Sequence, residues 1–196
     1  MIKIIDTKEG VVLRDMIEQD IEDYVRWFTV ETLWQNTDTP WDIPEETNAD
    51  KEREGWQSYY NVVSLLSDDI RRWKFEIEHN GRHVGYLSSY HINENYQSLT
   101  VDDILQTKPS RVAIGIVIAE PQAQSKGVGT SALRIFINYL FEHGFDTIHI
   151  QTWSGHKVMM HIAQKLGFVE CDRKIGVRLV DGQKFDALTY RLNKHD

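Results

Sequence analysis

Six consecutive residues, Gln124-Ser125-Lys126-Gly127-Val128-Gly129, have the composition of an anion-binding loop. Two glycines let a backbone turn tightly and pass close to a ligand. The residues that follow read as an amphipathic helix, whose free N–H groups and dipole favour a negative charge at its start. The chemistry expected here is the holding of a phosphate or pyrophosphate. A Walker A loop is rejected, because it needs Gly-Lys-Ser/Thr and here Lys126 precedes Gly127. A dinucleotide fingerprint fits poorly. Gly127-Val128-Gly129-Thr130-Ser131-Ala132 reads as G-x-G-x-x-A, but residues 120–126 separate it from its strand. The strand that follows ends at Trp153, where that fingerprint expects an acidic residue.

A third pattern is Gln/Arg-x-x-Gly-x-Gly/Ala, placed after a central strand and opening a helix. Gln124, Gly127 and Gly129 match it in spacing and context. It is the pyrophosphate loop of the GNAT superfamily of N-acetyltransferases, although an ordinary glycine-rich connection would look the same over six residues. A second segment strengthens the resemblance: Thr152-Trp153-Ser154-Gly155-His156, then Met160, Ala163 and Lys165-Leu166-Gly167-Phe168. It resembles the branch that acetylates the N-termini of ribosomal proteins, together with amine and aminoglycoside acetyltransferases. The likeness covers residues 11–192, is strongest over 115–168 and weakest over 29–110.

The resemblance implies a mixed α/β fold with a central, mostly antiparallel twisted sheet flanked by helices. It implies acetyl-CoA as co-substrate and no metal. Ile116, Val117 and Ile118 would pair with the pantetheine arm, and the backbone N–H of Ile116 would polarise the thioester carbonyl. Gln124, Ser125, Lys126, Gly127, Val128, Gly129 and Thr130 would hold the pyrophosphate. A substrate amine would attack the thioester directly, with positioning supplying much of the rate. Two positions depart from the family. Ala163 stands where many members carry a Tyr that protonates the leaving thiolate, and Ala113 where many carry a Glu base. His156 replaces a common Asn and is a candidate for contact with the cofactor or the departing sulfur. The alanines keep open a second class, a CoA-binding sensor or partner-binding module without strong catalysis.

Other residues carry weaker signals. Residues 31–54 hold eight acidic and two basic side chains, supplying -6 of the net -8 charge. Trp34 and Trp41 interleave there with Asp38 and Asp42, which suits a cationic amine, although acidic residues there also complement a helix start. His156 would equally cap the helix beginning at Lys157. His161 and Cys171 read as ordinary surface and strand residues, and His79 and His83 as solvated residues beside a turn.

The elements that must position these residues follow from periodicity. Strands are expected at 11–16, 73–78, 84–92, 112–119, 147–153, 168–180 and 183–192. Helices are expected at 18–29, with Ile21, Val25 and Phe28 facing inward, and at 47–66, with Trp56, Tyr59, Val63 and Leu66 inward. Two more are expected at 127–143 and 157–166, the first with Leu133, Phe136, Ile137, Leu140 and Phe141 against the core. Asn80-Gly81 and Asp181-Gly182 are tight-turn signals. Residues 94–110 read as a polar loop with at most one helical turn. Trp73, Phe75 and Ile77 alternate with charged residues, as in a half-buried strand.

Bulk composition bounds the rest. The 196 residues, 41% hydrophobic, suit one domain spanning 1–196 with its own core. A net charge of -8 without a Lys/Arg cluster argues against nucleic acid and anionic membrane as partners. The expected partner is a small-molecule or peptide amine, with room for a homodimer. No apolar run approaches the roughly 20 residues of a membrane span. The first ten residues lack the apolar stretch of a signal peptide, and a single cysteine forms no internal disulfide. The cytoplasm is therefore the expected location.

Overall fold

The alternation at 73–78 and the Asn80-Gly81 pair produce a hairpin in the computed structural model of the chain, which describes residues 3–6, 10–107 and 111–195. The expected loop at 94–110 thus ends in three residues outside the described ones, as do residues 1, 2 and 7–9 of the N-terminal reading. In chain order the strands and helices are β1 (Lys3–Asp6), β2 (Val11–Arg14), α1 (Asp20–Thr29), α2 (Gln35–Asp38), α3 (Ala49–Val63), β3 (Lys74–His79), β4 (Arg82–His91) and α4 (Val101–Thr107). They continue as β5 (Val112–Ile118), α5 (Val128–Glu142), β6 (Thr147–Trp153), α6 (Lys157–Lys165), β7 (Val169–Val180) and β8 (Gln183–Asn193). Among the described residues the strand order is β1-β2-β3-β4-β5-β6-β8-β7. Strands β1, β2 and β3 pair antiparallel, β5 and β6 pair parallel, and β6, β8 and β7 pair antiparallel. The fold is mixed α/β with a mostly antiparallel sheet, as the sequence leads one to expect.

The chain divides into two compact units. The first comprises residues 1–87 and 116–135. Its α1 buries Ile21, Tyr24, Val25 and Trp27, while Phe28, expected inside, is half-buried. The two bulkier aromatics at 24 and 27 take the inward stripe and push the seam round by one residue. With Met16, Val117 and Ala119 they form a core against which Phe28, Trp34, Trp56, Tyr59, Tyr60 and Tyr86 pack. Asn48 starts α3 by accepting bonds from the N–H groups of Asp50 and Lys51, both at 3.0 Å. That satisfies two of the donors a helix start leaves free.

The second unit comprises residues 88–115 and 136–196. Strand β6 sits between β5 and β8, with Ile148 opposite Leu192 and Trp153 opposite Ala187. Phe136, Ile137 and Leu140 of α5 are buried as expected, but Phe141 is only half-buried. Helix α4 exceeds the single turn anticipated within 94–110. Thr100 explains its start: its hydroxyl accepts from the Asp103 N–H, and Asp103 in turn accepts from the Thr100 N–H, a reciprocal cap. Strand β1 had no counterpart in the sequence reading. It is a short edge strand, held by pairing with β2.

Candidate functional site

In the first unit, the glycine loop is tied back onto the end of β5. The Gln124 side-chain amide donates to the carbonyl of Ile118 at 2.8 Å. Gly129 lies over Ile116 and Ile118: a β carbon on it would meet their side chains at 3.8 and 3.7 Å, ordinary contact distances. Ser125 and Gly127 both take positive φ, 58° and 83°, which turns the chain sharply into α5. Nothing lies within 4 Å of where a β carbon on Gly127 would sit. Gln124, Ser125, Lys126 and Gly127 are exposed, Gly129 is half-buried, and Val128 and Thr130 are buried. The N–H of Ser131 makes a helix-type bond to the Gly127 carbonyl at 3.0 Å. The N–H groups of Val128, Gly129 and Thr130, one turn earlier, therefore belong to the part of α5 with no intrahelical acceptor. Open space, free donors and a helix start together make a cradle that fits a pyrophosphate.

The base of that loop is anchored by Glu120. Its carboxylate accepts from the Trp27 indole at 2.9 Å and the Gln122 amide at 2.9 Å, and it pairs with Arg26. Arg26 also pairs with Asp23 and Glu31, so α1 holds the strand-to-loop corner through one guanidinium. On the other side, Gly85 of β4 lies against β5, where the Glu120 N–H donates to the Val84 carbonyl at 3.2 Å. Ile116, Ile118, Gln124 and Gly129 are thus brought together, with Val117 beneath them in the core.

His156 belongs to the second unit and starts α6. Its Nδ1 accepts from the Met159 N–H at 3.4 Å, so the ring caps the helix. Burial holds its pKa below the ordinary histidine value. A neutral ring that accepts at Nδ1 carries its proton on Nε2, where it can donate. Ala113 and Ala163 are both fully buried, 0% exposed, and as alanines supply no acid or base at those two positions. His161 is exposed, and the Cys171 thiol donates to the Thr189 carbonyl at 3.4 Å.

The acidic and aromatic segment lies in the first unit. Trp34 donates from its indole to the Trp27 carbonyl at 3.0 Å and meets Phe28 edge-on at 5.2 Å. Trp34 is therefore fixed in the core cluster. Asp38 ends α2, half-buried and without an ion-pair partner among the described residues; burial raises its pKa. Its charge is felt by Tyr86, whose own pKa is pushed up by burial, Asp38 and Glu76. Trp41 is half-buried and Asp42 exposed. Asp38 and Trp34 thus associate with the aromatic cluster, whereas Asp42 faces solvent.

The sequence reading missed a buried polar network. His83 was expected to be solvated, yet its side chain is 4% exposed. Its Nε2 bonds to Glu76 at 3.0 Å, and its Nδ1 to Asp23 at 3.1 Å. Burial opposes the imidazolium, but these carboxylates raise its pKa to about 9. Glu76 is buried on the face of β3 that the alternation assigned to solvent. Burial pushes its carboxyl up, but Lys74, His83 and the Tyr24 hydroxyl at 2.5 Å hold it below the ordinary range. Arg14 completes the set, bidentate on Asp20 at 2.6 and 2.8 Å and reaching Glu78 at 3.0 Å. Asp20, Asp23 and His83 bring ligand-type atoms within 4.8 Å, but those atoms are engaged by Arg14, by Glu76 and by one another, as an ion-pair network. The missed signal was Lys74-Phe75-Glu76, since a strand covered by helices on its second face must neutralise charges that alternation places there.

Comparisons with known proteins bear on the family and the fold. The family model described as "Acetyltransferase (GNAT) domain" matches residues 11–169. No curated protein matches the chain. Among solved structures, a ribosomal-protein-S5-alanine acetyltransferase from Vibrio fischeri is similar at a TM-score of 0.73 and 14% identity, covering 100% of this chain and 98% of that one. A GNAT-family acetyltransferase from Bacillus anthracis gives 0.69 at 13% identity, with 100% of both chains covered. Mycobacterium smegmatis RimJ in complex with CoA-disulfide gives 0.69 at 18% identity, over 94% of this chain and 82% of that one. At these identities the likeness is one of fold, while the family match covers most of the chain. This protein belongs to the GNAT family of acetyltransferases.

Proposed function

We propose that the chain acts as one N-acetyltransferase domain spanning 1–196, moving an acetyl group from acetyl-CoA to a primary amine by direct attack within a ternary complex. The observation that carries this is the cradle at the start of α5, open at Gly127 and joined to β5 through the bond from Gln124 to Ile118. Gln124, Ser125, Lys126, Gly127, Val128, Gly129 and Thr130 hold the pyrophosphate, mainly through backbone N–H groups. Ile116, Val117 and Ile118 offer backbone to the pantetheine arm, and the Ile116 N–H polarises the thioester carbonyl. His156, whose Nδ1 caps α6, keeps its Nε2–H as a donor.

On the acceptor side, Asp38 with Trp34 and Tyr86 suits an ammonium: a carboxylate without an ion partner among the described residues, whose charge acts on an aromatic cluster. Trp41 and Asp42 extend the same acidic surface. A protein or peptide N-terminus, an aminoglycoside-like amine and a polyamine all meet that chemistry, and the family's ribosomal-protein enzymes lend weight to the first. The cytoplasm, where acetyl-CoA and such amines meet, is the proposed location. Thiol release from acetyl-CoA, measured against a panel of these amines, tests the reading. Turnover with one class supports it. CoA binding without turnover on any amine would replace it with a CoA sensor, the role that Ala113 and Ala163 otherwise suggest.

A further inference from the structure

In the second unit, Gln151 of β6 is held at both ends of its side-chain amide. The Tyr90 hydroxyl donates to its Oε1 at 2.9 Å, and its Nε2 donates to the Tyr96 carbonyl at 2.7 Å. A backbone carbonyl only accepts, so it fixes which end of the amide is the nitrogen. Each end then keeps one further capacity, a second lone pair on Oε1 and a second N–H on Nε2. Tyr96 takes φ 60°, a conformation that costs energy in a residue with a side chain, and the bond from Gln151 helps to hold it.

The bond between Tyr90 and Gln151 joins β4 to β6 across β5, which lies between them. Ile150 stands beside Ile114, so Gln151 comes next in line beside Gly115. The Ile92 N–H donates to the Arg111 carbonyl at 3.2 Å, so Tyr90, two residues back along the antiparallel pair, stands beside Ala113. The bridge therefore crosses β5 where its residues are smallest, and the alanine at 113 makes room for it. A β carbon on Gly115 would meet nothing within 4 Å, so the face is open beside the amide. A glycine inside a strand often marks the close approach of a ligand. Tyr90, Tyr96, Gly115 and Gln151 are all half-buried, so the opening reaches solvent.

We infer that the Gln151 amide oxygen orients the attacking nitrogen of the acceptor over Gly115, with Tyr90 and Tyr96 as positioning residues that aim the amide. This rests on the reading of the chain as an amine acetyltransferase. The carbonyl of Gly115 and the N–H of Ile116 belong to one peptide unit, so a nitrogen held over Gly115 lies beside the donor proposed for the thioester. A neutral primary amine gives one N–H to Oε1 and keeps its lone pair for attack. The C–N bond forms, the C–S bond breaks, and one amine proton ends on the sulfur as the free thiol. A side-chain amide has no titration near neutral pH, so Gln151 aims the nitrogen and carries no proton. Attraction of the cation stays with Asp38 of the first unit.

The test measures thiol release with the amine that the wild type uses best. Gln151→Met keeps the length of the side chain without its amide. It should lower kcat by about 10- to 100-fold, the effect of a misplaced nucleophile, and leave the KM for acetyl-CoA unchanged. Gln151→Glu keeps an acceptor oxygen but loses the donor to Tyr96, and it should recover most of the lost kcat. A purely structural role would rank it no better than Gln151→Met, since it breaks the same bond and adds a charge. Tyr90→Phe removes one oxygen from an intact ring. It should lower kcat by about fivefold and add little in the Gln151→Met background, as expected of residues that act together. Tyr90→Phe decides the matter alone if Gln151→Met does not fold, and a wild-type kcat would then overturn the inference. An unchanged kcat in folded Gln151→Met, or Gln151→Glu no better than it, would overturn the inference and leave the acetyltransferase reading standing. If the wild type released thiol with no amine at all, that reading would fail first and the inference with it.

Discussion

A β carbon on Gly85 would sit 2.0 Å from the carbonyl oxygen of Val117. No side chain fits that gap, so β4 can lie against the end of β5 only because residue 85 is glycine. The strand end positioned this way carries Ile116, Val117 and Ile118, and it receives the bond from Gln124 that closes the glycine loop. Gly85→Ala should therefore destabilise the protein by about 2–4 kcal/mol, as steric insertion into packed backbone does. A fall of several degrees in melting temperature, with weakened CoA binding in the folded fraction, is the expected outcome. An unchanged melt would show that β4 and β5 separate easily here.

Gly129 tests the cradle without disturbing the fold. A β carbon there meets only ordinary contacts at 3.7 and 3.8 Å, so the protein itself tolerates a side chain. Gly129→Val should keep its melting temperature within a few degrees yet lose CoA affinity by about tenfold or more, because a branched side chain fills the space where pyrophosphate approaches. Gly127→Val also forces a branched residue into φ 83°, so its loss of affinity should come with lost stability. Calorimetric titration with CoA separates the two effects, and full affinity in folded Gly129→Val would move the site elsewhere.

Acetyl-CoA should raise the melting temperature where NAD and ATP do not. A ligand that binds only the folded state adds about 2.7 kcal/mol of stability at a hundred times its dissociation constant. Thermal melts at saturating concentrations of each compound provide the check. A shift with ATP or NAD alone would contradict the pyrophosphate assignment of residues 124–130.

Stability should fall on the alkaline side because of His83. Its folded pKa is raised to about 9 against an ordinary 6.5, so its stabilisation is whole below pH 6.5 and is lost as the pH rises through 9. Asp23 and Glu76 are shifted the other way: both lie below the ordinary carboxylate range, so their contribution is lost as the solution turns acid. Denaturant unfolding of the wild type should lose about 2–3 kcal/mol between pH 6 and pH 9. His83→Gln should be less stable at pH 6 and nearly flat over that range. Parallel curves for the two proteins would mean that His83 is neutral in the fold.

Asp38 and Asp42 should separate in their kinetic effects. Asp38 is half-buried without an ion partner among the described residues, while Asp42 is exposed. Asp38→Asn should raise the KM for cationic amines by about tenfold and leave that for acetyl-CoA alone. Asp42→Asn should act weakly and lose its effect in high salt, which screens exposed charges over about 10 Å. Similar kinetics for Asp38→Asn and wild type would leave the acidic segment as a solvated surface.

The sequence by itself determined the elements whose signals are local. Asn80-Gly81, which both take positive φ, and the unbroken apolar run at 112–118 each specify a backbone conformation that needs no distant partner. So do the two glycines opening α5 and the 3.6-residue stripe behind them, and these made the glycine loop legible from its residues. The Ala residues at 113 and 163 were legible too, as positions where the usual proton-transfer groups are missing. Only the tertiary structure decided that Lys74, Glu76 and His83 lie inside the first unit. Lys74 and Glu76 alternate with buried residues exactly as solvent-facing residues would, and His83 sits beside a turn, so no local pattern marks them as interior. They are buried because α1 and α3 bring Tyr24, Trp56 and Tyr59 over that face of β3, and because Arg14, Asp20 and Asp23 arrive from distant parts of the chain to balance the charges. Burial of a charge depends on partners far away in sequence, and that pairing exists only once the chain has folded.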